Sequence, residues 1–363
     1  MAILFMDGFE IDFADYDKGL WTSQSSSGAG NGDLFYVSTQ KRTGNGALYL
    51  YTGGSFHANL SLSLGTNYTE LYFAFGFRYS GSMSPFGGGA TSIALLSTLS
   101  STSATQVTLA LNATSKVLEV FRQSARDTLL ASGSTPLTAD TWYHIGLHVV
   151  ISDTVGVADV KLNDVSEIST SSLDTNNSGS NINTILLGIS TEGGRGGATF
   201  YFDDFVVNDT SGSVANGWLG AIGVEMLTPS ADGNYSAWTS TGGAVDYTEL
   251  DDVASYGSLP DDDTTTILSG TTDQRTSVAL SDTTVSGQVE GVMLCTYAKN
   301  SGAGGDQMSQ GVRLSSTDYD STAFAPSTSY AWHLDVLTTN PATSARWTTS
   351  EIDGMEMGWK RVT

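Results

Sequence analysis

Cysteine is almost missing from this chain. Cys295 is the single one among 363 residues, so no internal disulfide can form and the fold must hold without covalent bridges. It lies in the apolar run Val292–Cys295, where a buried, inert thiol is expected. Basic residues are also few. Lys and Arg number 15 against 38 Asp and Glu, a net charge of −23. Such a surface repels phosphate backbones and anionic lipid, which excludes nucleic acid and charged membranes as partners. It keeps a protein soluble at high local concentration. No run approaches the ~20 apolar residues of a membrane span. Met1–Asp7 lacks the basic start and long apolar stretch of a signal peptide, so the Asn-x-Ser/Thr triplets at Asn67 and Asn112 carry no glycosylation inference.

What is abundant is glycine, at 41 residues, with aromatics at 10%. Short β-branched and aromatic runs alternate with Gly, Ser, Asn and Asp clusters, the pattern of an all-β sandwich. Strands are expected at 71–79, 106–111, 116–122, 142–150, 157–164, 184–189 and 199–207, the second and third joined as a hairpin by Asn112–Ser115. The polar stretch 208–220 marks a domain boundary: a first domain over 1–210, a linker over 211–218, and a β-rich second domain over 219–363. In the latter, 288–297, 311–314 and 330–337 read as strands. Residues 347–357 read as a short helix capped by Thr348, Thr349 or Ser350 over Glu351.

Three segments resemble a known family. Phe5–Glu10 followed by Trp21 resembles the first strand of concanavalin-like, laminin-G-like jelly rolls. Leu137–His144 resembles the start of their central strand, and Phe200–Val207 their closing strand. Further along, 208–238, Leu259–Asp263 and Asn340–Trp347 resemble tailed-bacteriophage virion proteins that place a jelly roll before a second β domain. The resemblance implies an all-β chain: a concanavalin-like jelly-roll sandwich followed by a second, smaller β-sandwich. It also implies a structural, tail-fibre or capsid-decoration role.

Candidate chemistry is sparse. Glu351-Ile352-Asp353-Gly354-Met355-Glu356 matches the Glu-x-Asp-x-x-Glu signature of laminarinase-type glucanases, whose paired carboxyls work ~5 Å apart. Here it falls near the end of the chain, outside the jelly roll, and reads as a solvated acidic turn or helix end. His144 and His148 share one strand face, where a structural role outweighs a metal pair. In a jelly roll the first and last strands lie side by side, so Asp7 could meet Asp203 or Asp204. Hard oxygen ligands there would suit a structural Ca²⁺; the alternative is that these side chains cap backbone N–H groups. Asp251-Asp252 and Asp261–Asp263 read as solvated loops, and Gly193–Gly197 as a Gly-rich loop between strands. Sugar stacking needs exposed aromatics, for which Trp21, Tyr36, Phe86 and Trp142 are candidates.

The expectation is therefore a non-enzymatic virion structural protein, assembled in the host cytoplasm. It would bind other capsid or tail proteins, act as a symmetric homo-oligomer such as a trimer, and touch host surface glycans. A free lectin-like module and a laminarinase-type glucanase are the alternatives.

Overall fold

The computed structural model describes residues 2–11, 19–27, 34–51, 57–83, 92–124, 127–189, 198–243, 246–252, 259–302 and 305–363. The chain divides into two compact units, Ala2–Val224 and Glu225–Thr363.

The described residues of the first unit form fifteen strands. They are β1 (Ile3–Asp7), β2 (Ser23–Ser27), β3 (Leu34–Val37), β4 (Ala47–Tyr51), β5 (His57–Tyr68), β6 (Glu70–Ser80), β7 (Ser92–Leu99) and β8 (Thr105–Asn112). After these come β9 (Leu118–Arg122), β10 (Thr128–Ser132), β11 (Tyr143–Val150), β12 (Val157–Leu162), β13 (Val165–Ile168), β14 (Ile182–Ile189) and β15 (Thr199–Asn208). One antiparallel sheet runs β13-β12-β11-β6-β15-β4-β3, with β1 also paired to β15; the other runs β10-β9-β8-β7-β14-β5-β2.

Alternation explains why these sequences form a sandwich. In β6 the inward positions Leu71, Phe73, Phe75, Phe77 and Tyr79 are all buried apolar side chains, while Tyr72, Ala74, Gly76 and Arg78 point the other way. The hairpin between β8 and β9 forms where the sequence places it. The Asn112 side chain accepts the N–H groups of Thr114 and Ser115 at 2.9 and 3.0 Å, and Lys116 takes a positive φ of 63°. The opening and closing segments are neighbours, with Phe5 opposite Val207 and Asp7 opposite Phe205.

Two features of β15 place the outward face. A register shift between Asp203 and Val206 marks a β-bulge, and Asp204 sits in the left-handed region at φ 53°. A bulge spends an extra residue without crossing faces, so the carboxylates of Asp203 and Asp204 both reach donors beyond the outward face. Beyond β15 the chain folds back on the same unit. The Asn208 amide donates to the carbonyls of Ala215 and Gly217 at 2.7 and 2.9 Å. Residues 211–218, read from sequence as a linker, thus belong to the compact body of the first unit, which runs to Val224.

The second unit holds β16 (Pro229–Ser236), β17 (Thr239–Ser240), β18 (Ile267–Leu268), β19 (Arg275–Leu280), β20 (Val292–Ala298), β21 (Met308–Leu314), β22 (Thr317–Asp320), β23 (Ala331–Leu337), α1 (Thr349–Asp353) and β24 (Met355–Arg361). Its main sheet is β16-β19-β24-β21-β22, with two-stranded ribbons β17-β18 and β20-β23. Leu294 of the ribbon, Val278 and Val312 of the sheet, and Trp347 and Ile352 around α1 share one core. Cys295 is half-buried, more open than the sequence suggests.

Candidate functional site

The outward face of the first sheet carries the unusual side chains. Directly opposed residues of antiparallel strands share a face, so the registers define rungs running across the strands. Phe35 lies opposite Tyr49, Tyr49 opposite Tyr201, and Tyr201 opposite Arg78. Tyr143 lies opposite Phe77, which puts Trp142 beside Arg78. Phe35, Tyr49, Tyr201, Arg78 and Trp142 therefore make one ladder across β3, β4, β15, β6 and the start of β11.

Ring contacts confirm that the ladder is continuous. Centroids are 5.8 Å apart for Phe35–Tyr49, 5.4 Å for Tyr49–Tyr201 and 6.4 Å for Trp142–Tyr201. The Arg78 guanidinium lies 5.3 Å from the Tyr201 ring centre. Its Nη2 donates to Asp140 Oδ1 at 2.9 Å. The turn carrying Asp140 is pinned to β6: the Asp140 N–H donates to the Tyr79 carbonyl at 2.8 Å, and the Tyr79 hydroxyl donates to the Leu137 carbonyl at 3.0 Å. Phe35, at 45% exposure, is the open end of the ladder.

On one side of the ladder the rung Tyr51–Thr199–Ser80 continues the face, with Tyr51 38% exposed; on the other side the face is covered. The next rung is Asp203 opposite Gly76 and Gly76 opposite His144, and the one after contains Gly146 opposite Lys161. Glycine is needed at 76 and 146, since a Cβ would come within 2.8 Å of the Arg42 side chain and the Trp218 ring respectively. A strap over 218–224 holds this cover down. Trp218 lies 5.4 Å from Tyr72 and 6.0 Å from His148, with Lys161 Nζ 4.6 Å over its ring. The N–H groups of Ala221 and Val224 donate to Asp164 and Asp204 at 3.1 and 2.7 Å. Arg42 donates to both Asp204 and the Ile222 carbonyl at 2.5 Å.

The carboxylates beneath the strap serve the fold. Asp203 accepts the N–H groups of Arg42 and Thr43 at 2.6 and 3.2 Å. Burial, with the neighbouring Asp204 charge adding to it, pushes its carboxyl up. Asp7 lies on the opposite face, alongside Phe205. It accepts Phe9 N–H and the Trp21 indole N–H, each at 2.7 Å, and burial raises it to about 6. The structure does not bring Asp7 together with Asp203 and Asp204, because the sheet itself separates them. Among the described residues no group of three or more His, Cys, Asp or Glu is placed to hold a metal ion.

Several sequence candidates move. Trp21 is 6% exposed and packs on Phe5, Phe9 and Phe205; it is a core residue and offers no face to a ligand. Tyr36 is opposite Leu48, a core position, so it points inward, with its ring where a Gly46 side chain would be. Phe86 and the Gly193–Gly197 loop lie outside the described residues. Trp142 is in the ladder. His144 and His148 do share a face, but they are separated by the Trp218 ring over Gly146. His148 pairs with Glu70 at 2.8 Å and stacks on Tyr72 at 4.1 Å. Burial lowers His144, against the pull of Asp164 3.3 Å away. The glucanase-like carboxyls are split between elements: Glu351 closes a capping box with Thr348 on α1, and Glu356 on β24 accepts the Ser277 hydroxyl at 2.6 Å. Sequence reasoning missed Phe35, Tyr49, Tyr201 and Arg78. Phe35 is one residue from a named candidate, and only the register separates the outward from the inward aromatic.

No protein-family model and no curated protein matches this chain. Solved structures do resemble it. One is an endo-β-1,4-glucuronan lyase from the fungus Trichoderma reesei, at 13% identity over 54% of this chain and 94% of that one, with a TM-score of 0.42. Another is domain 4 of AbnA, a GH43 extracellular arabinanase from Geobacillus stearothermophilus, at 12% identity, covering 57% and 93%, TM-score 0.38. A third is a carbohydrate esterase from the Shiga toxin-encoding bacteriophage phi24B, at 12% identity, covering 51% and 89%, TM-score 0.34.

Proposed function

We propose that this chain is a non-enzymatic surface protein of a bacteriophage particle, on its tail or capsid, and that its first unit contacts glycans. The observation that carries the glycan reading is the Phe35–Tyr49–Tyr201–Arg78–Trp142 ladder. Neighbouring strands are ~4.8 Å apart, so the ladder spans about 19 Å; Tyr201, 8% exposed, is packed beneath Arg78, and Phe35, Tyr49 and Trp142 carry the accessible rings. Aromatic rings with one apolar face and a polar neighbour are what a sugar ring stacks on and hydrogen-bonds to. A contact role, not turnover, is supported by how the carboxylates are used. Asp7, Asp203 and Asp204 are each engaged by protein donors, and Glu351 caps a helix. The particle role is supported by the likeness of residues 208–238 to virion proteins and by the net charge of −23, which suits many copies held close together.

A polysaccharide and glycan array tests the first part. Specific binding is expected, lost in Phe35→Ala and Trp142→Ala with no change in circular dichroism; binding unchanged in both variants would sink it. Mass spectrometry of purified particles tests the second part, and absence of the chain from them would end it.

A further inference from the structure

We infer that the ladder takes an uncharged glycan, laid across the strands, and that Asp140 is the residue that sets this selectivity. The inference rests on the glycan reading above and adds the ligand's charge class.

The one cation in the ladder is turned away from an incoming ligand. Within the Arg78–Asp140 pair, the Arg78 side chain is 12% exposed and the Asp140 side chain 59%. A glycan approaching the platform therefore meets the carboxylate first. The guanidinium is also engaged by the Tyr201 ring beneath it. An anionic sugar would have to displace Asp140 from Arg78 and then sit beside it, a like-charge juxtaposition. At physiological salt, charges within about 8 Å are still felt, and the net charge of −23 adds to the barrier at longer range.

Neutral sugars meet no such barrier. Hydroxyl groups both donate and accept, so the free oxygen of Asp140 and the remaining guanidinium N–H groups suit a pair of hydroxyls. The geometry is fixed before binding, because the Tyr79 carbonyl and hydroxyl hold the Leu137–Asp140 turn.

The test is affinity electrophoresis of the full chain in gels containing neutral polymers (galactomannan, xylan, dextran) or anionic ones (alginate, polygalacturonate). Wild type should be retarded by a neutral polymer and by neither anionic one. Asp140→Asn removes the charge alone. Asn tolerates the positive φ at this position, keeps the N–H to Tyr79, and can still accept from Arg78. This variant should gain affinity for an anionic polymer by roughly tenfold or more, a gain that Arg78→Gln added to it should cancel. Retardation of wild type by an anionic polymer, abolished by Phe35→Ala, would overturn the inference and leave the glycan reading standing. Unchanged discrimination in Asp140→Asn would also overturn it. Retardation by no polymer of either charge would remove the glycan reading itself.

Discussion

Both units bury tryptophan, and the indoles of Trp21 and Trp359 have different partners. Trp21 in the sandwich donates to the carboxyl of Asp7 at 2.7 Å. Trp359 in the second unit donates to the hydroxyl of Thr296 at 2.8 Å, and that hydroxyl in turn donates to Gln310 at 2.5 Å. The contrast extends to other carboxyls. The sandwich takes Asp7, Glu10, Asp203 and Asp204 into its interior. The second unit keeps many of its own outside, beside cations: Asp320 with Arg275, Asp318 with Arg313, Asp273 with Lys360. Asp246 and Glu249 depart from that pattern, being buried, as do Asp335 and Asp252, pushed up by partial burial. A buried acid is stabilised by gaining a proton and a surface ion pair by losing one, so the two units should answer pH in opposite senses.

The largest expected effect separates the two indoles. Trp21→Ala should cost the sandwich about 3–5 kcal/mol, plus the penalty of a buried carboxyl that has lost its donor. Trp359→Ala should cost less, because Thr296 keeps Gln310. Chemical denaturation, with hydrogen exchange in β15 and β24 as local readouts, compares them; equal costs would break the contrast.

Acidity comes next. Burial raises Asp7 to about 6 and Glu10 to about 7. The folded sandwich therefore holds protons that the unfolded chain releases. Its stability is fullest below pH 4 and declines as pH rises through 6 and 7, by ~3 kcal/mol for each group. Glu10→Gln should flatten that slope. In the second unit the Lys360 hydrogen bond holds Asp273 low, and the Thr348 backbone does the same for Glu351. Those contributions are present at neutral pH and are lost as pH falls below the ordinary carboxylate range. Parallel pH profiles in the two units would contradict this.

Smaller effects sharpen the same comparison. Trp218→Ala lifts a ring from Gly146 and from its contacts with Lys161 and Tyr72, at about 2 kcal/mol. Faster hydrogen exchange over 218–224 should report it. Arg275→Ala in the second unit removes a surface pair and should cost under about 1 kcal/mol, a cost that shrinks further in 1 M salt. EDTA should leave the melting temperature unchanged, since Asp7 and Asp203 lie on opposite faces of the sheet; a clear drop would restore a structural calcium.

Much of the fold was legible in residue order. Strands such as β6, β8, β9, β11 and β15 fall where alternation places them, because an inward-outward period of two is written directly in the side chains. The capping box at Thr348 and Glu351 was equally local. The site was far less legible. Tyr36 and Phe35 have the same composition cue, yet only one faces outward, and pairing with Tyr49 decides which. Trp21 looked like an exposed stacking residue and is core.

By itself, then, the sequence determined what depends on neighbours along the chain: an all-β class, most strands, the β8–β9 hairpin, the helix cap, and a surface with too few cations for nucleic acid. Tertiary structure decided everything that depends on which strand lies beside which. It assembled the ladder from residues spread between 35 and 201, turned Asp7 and Asp203 to opposite faces, and laid Trp218 over the bare Gly146. The physical reason is that a face is a property of register, and register is fixed by pairing between strands that are separated along the chain, from Phe35 with Tyr49 to Tyr49 with Tyr201.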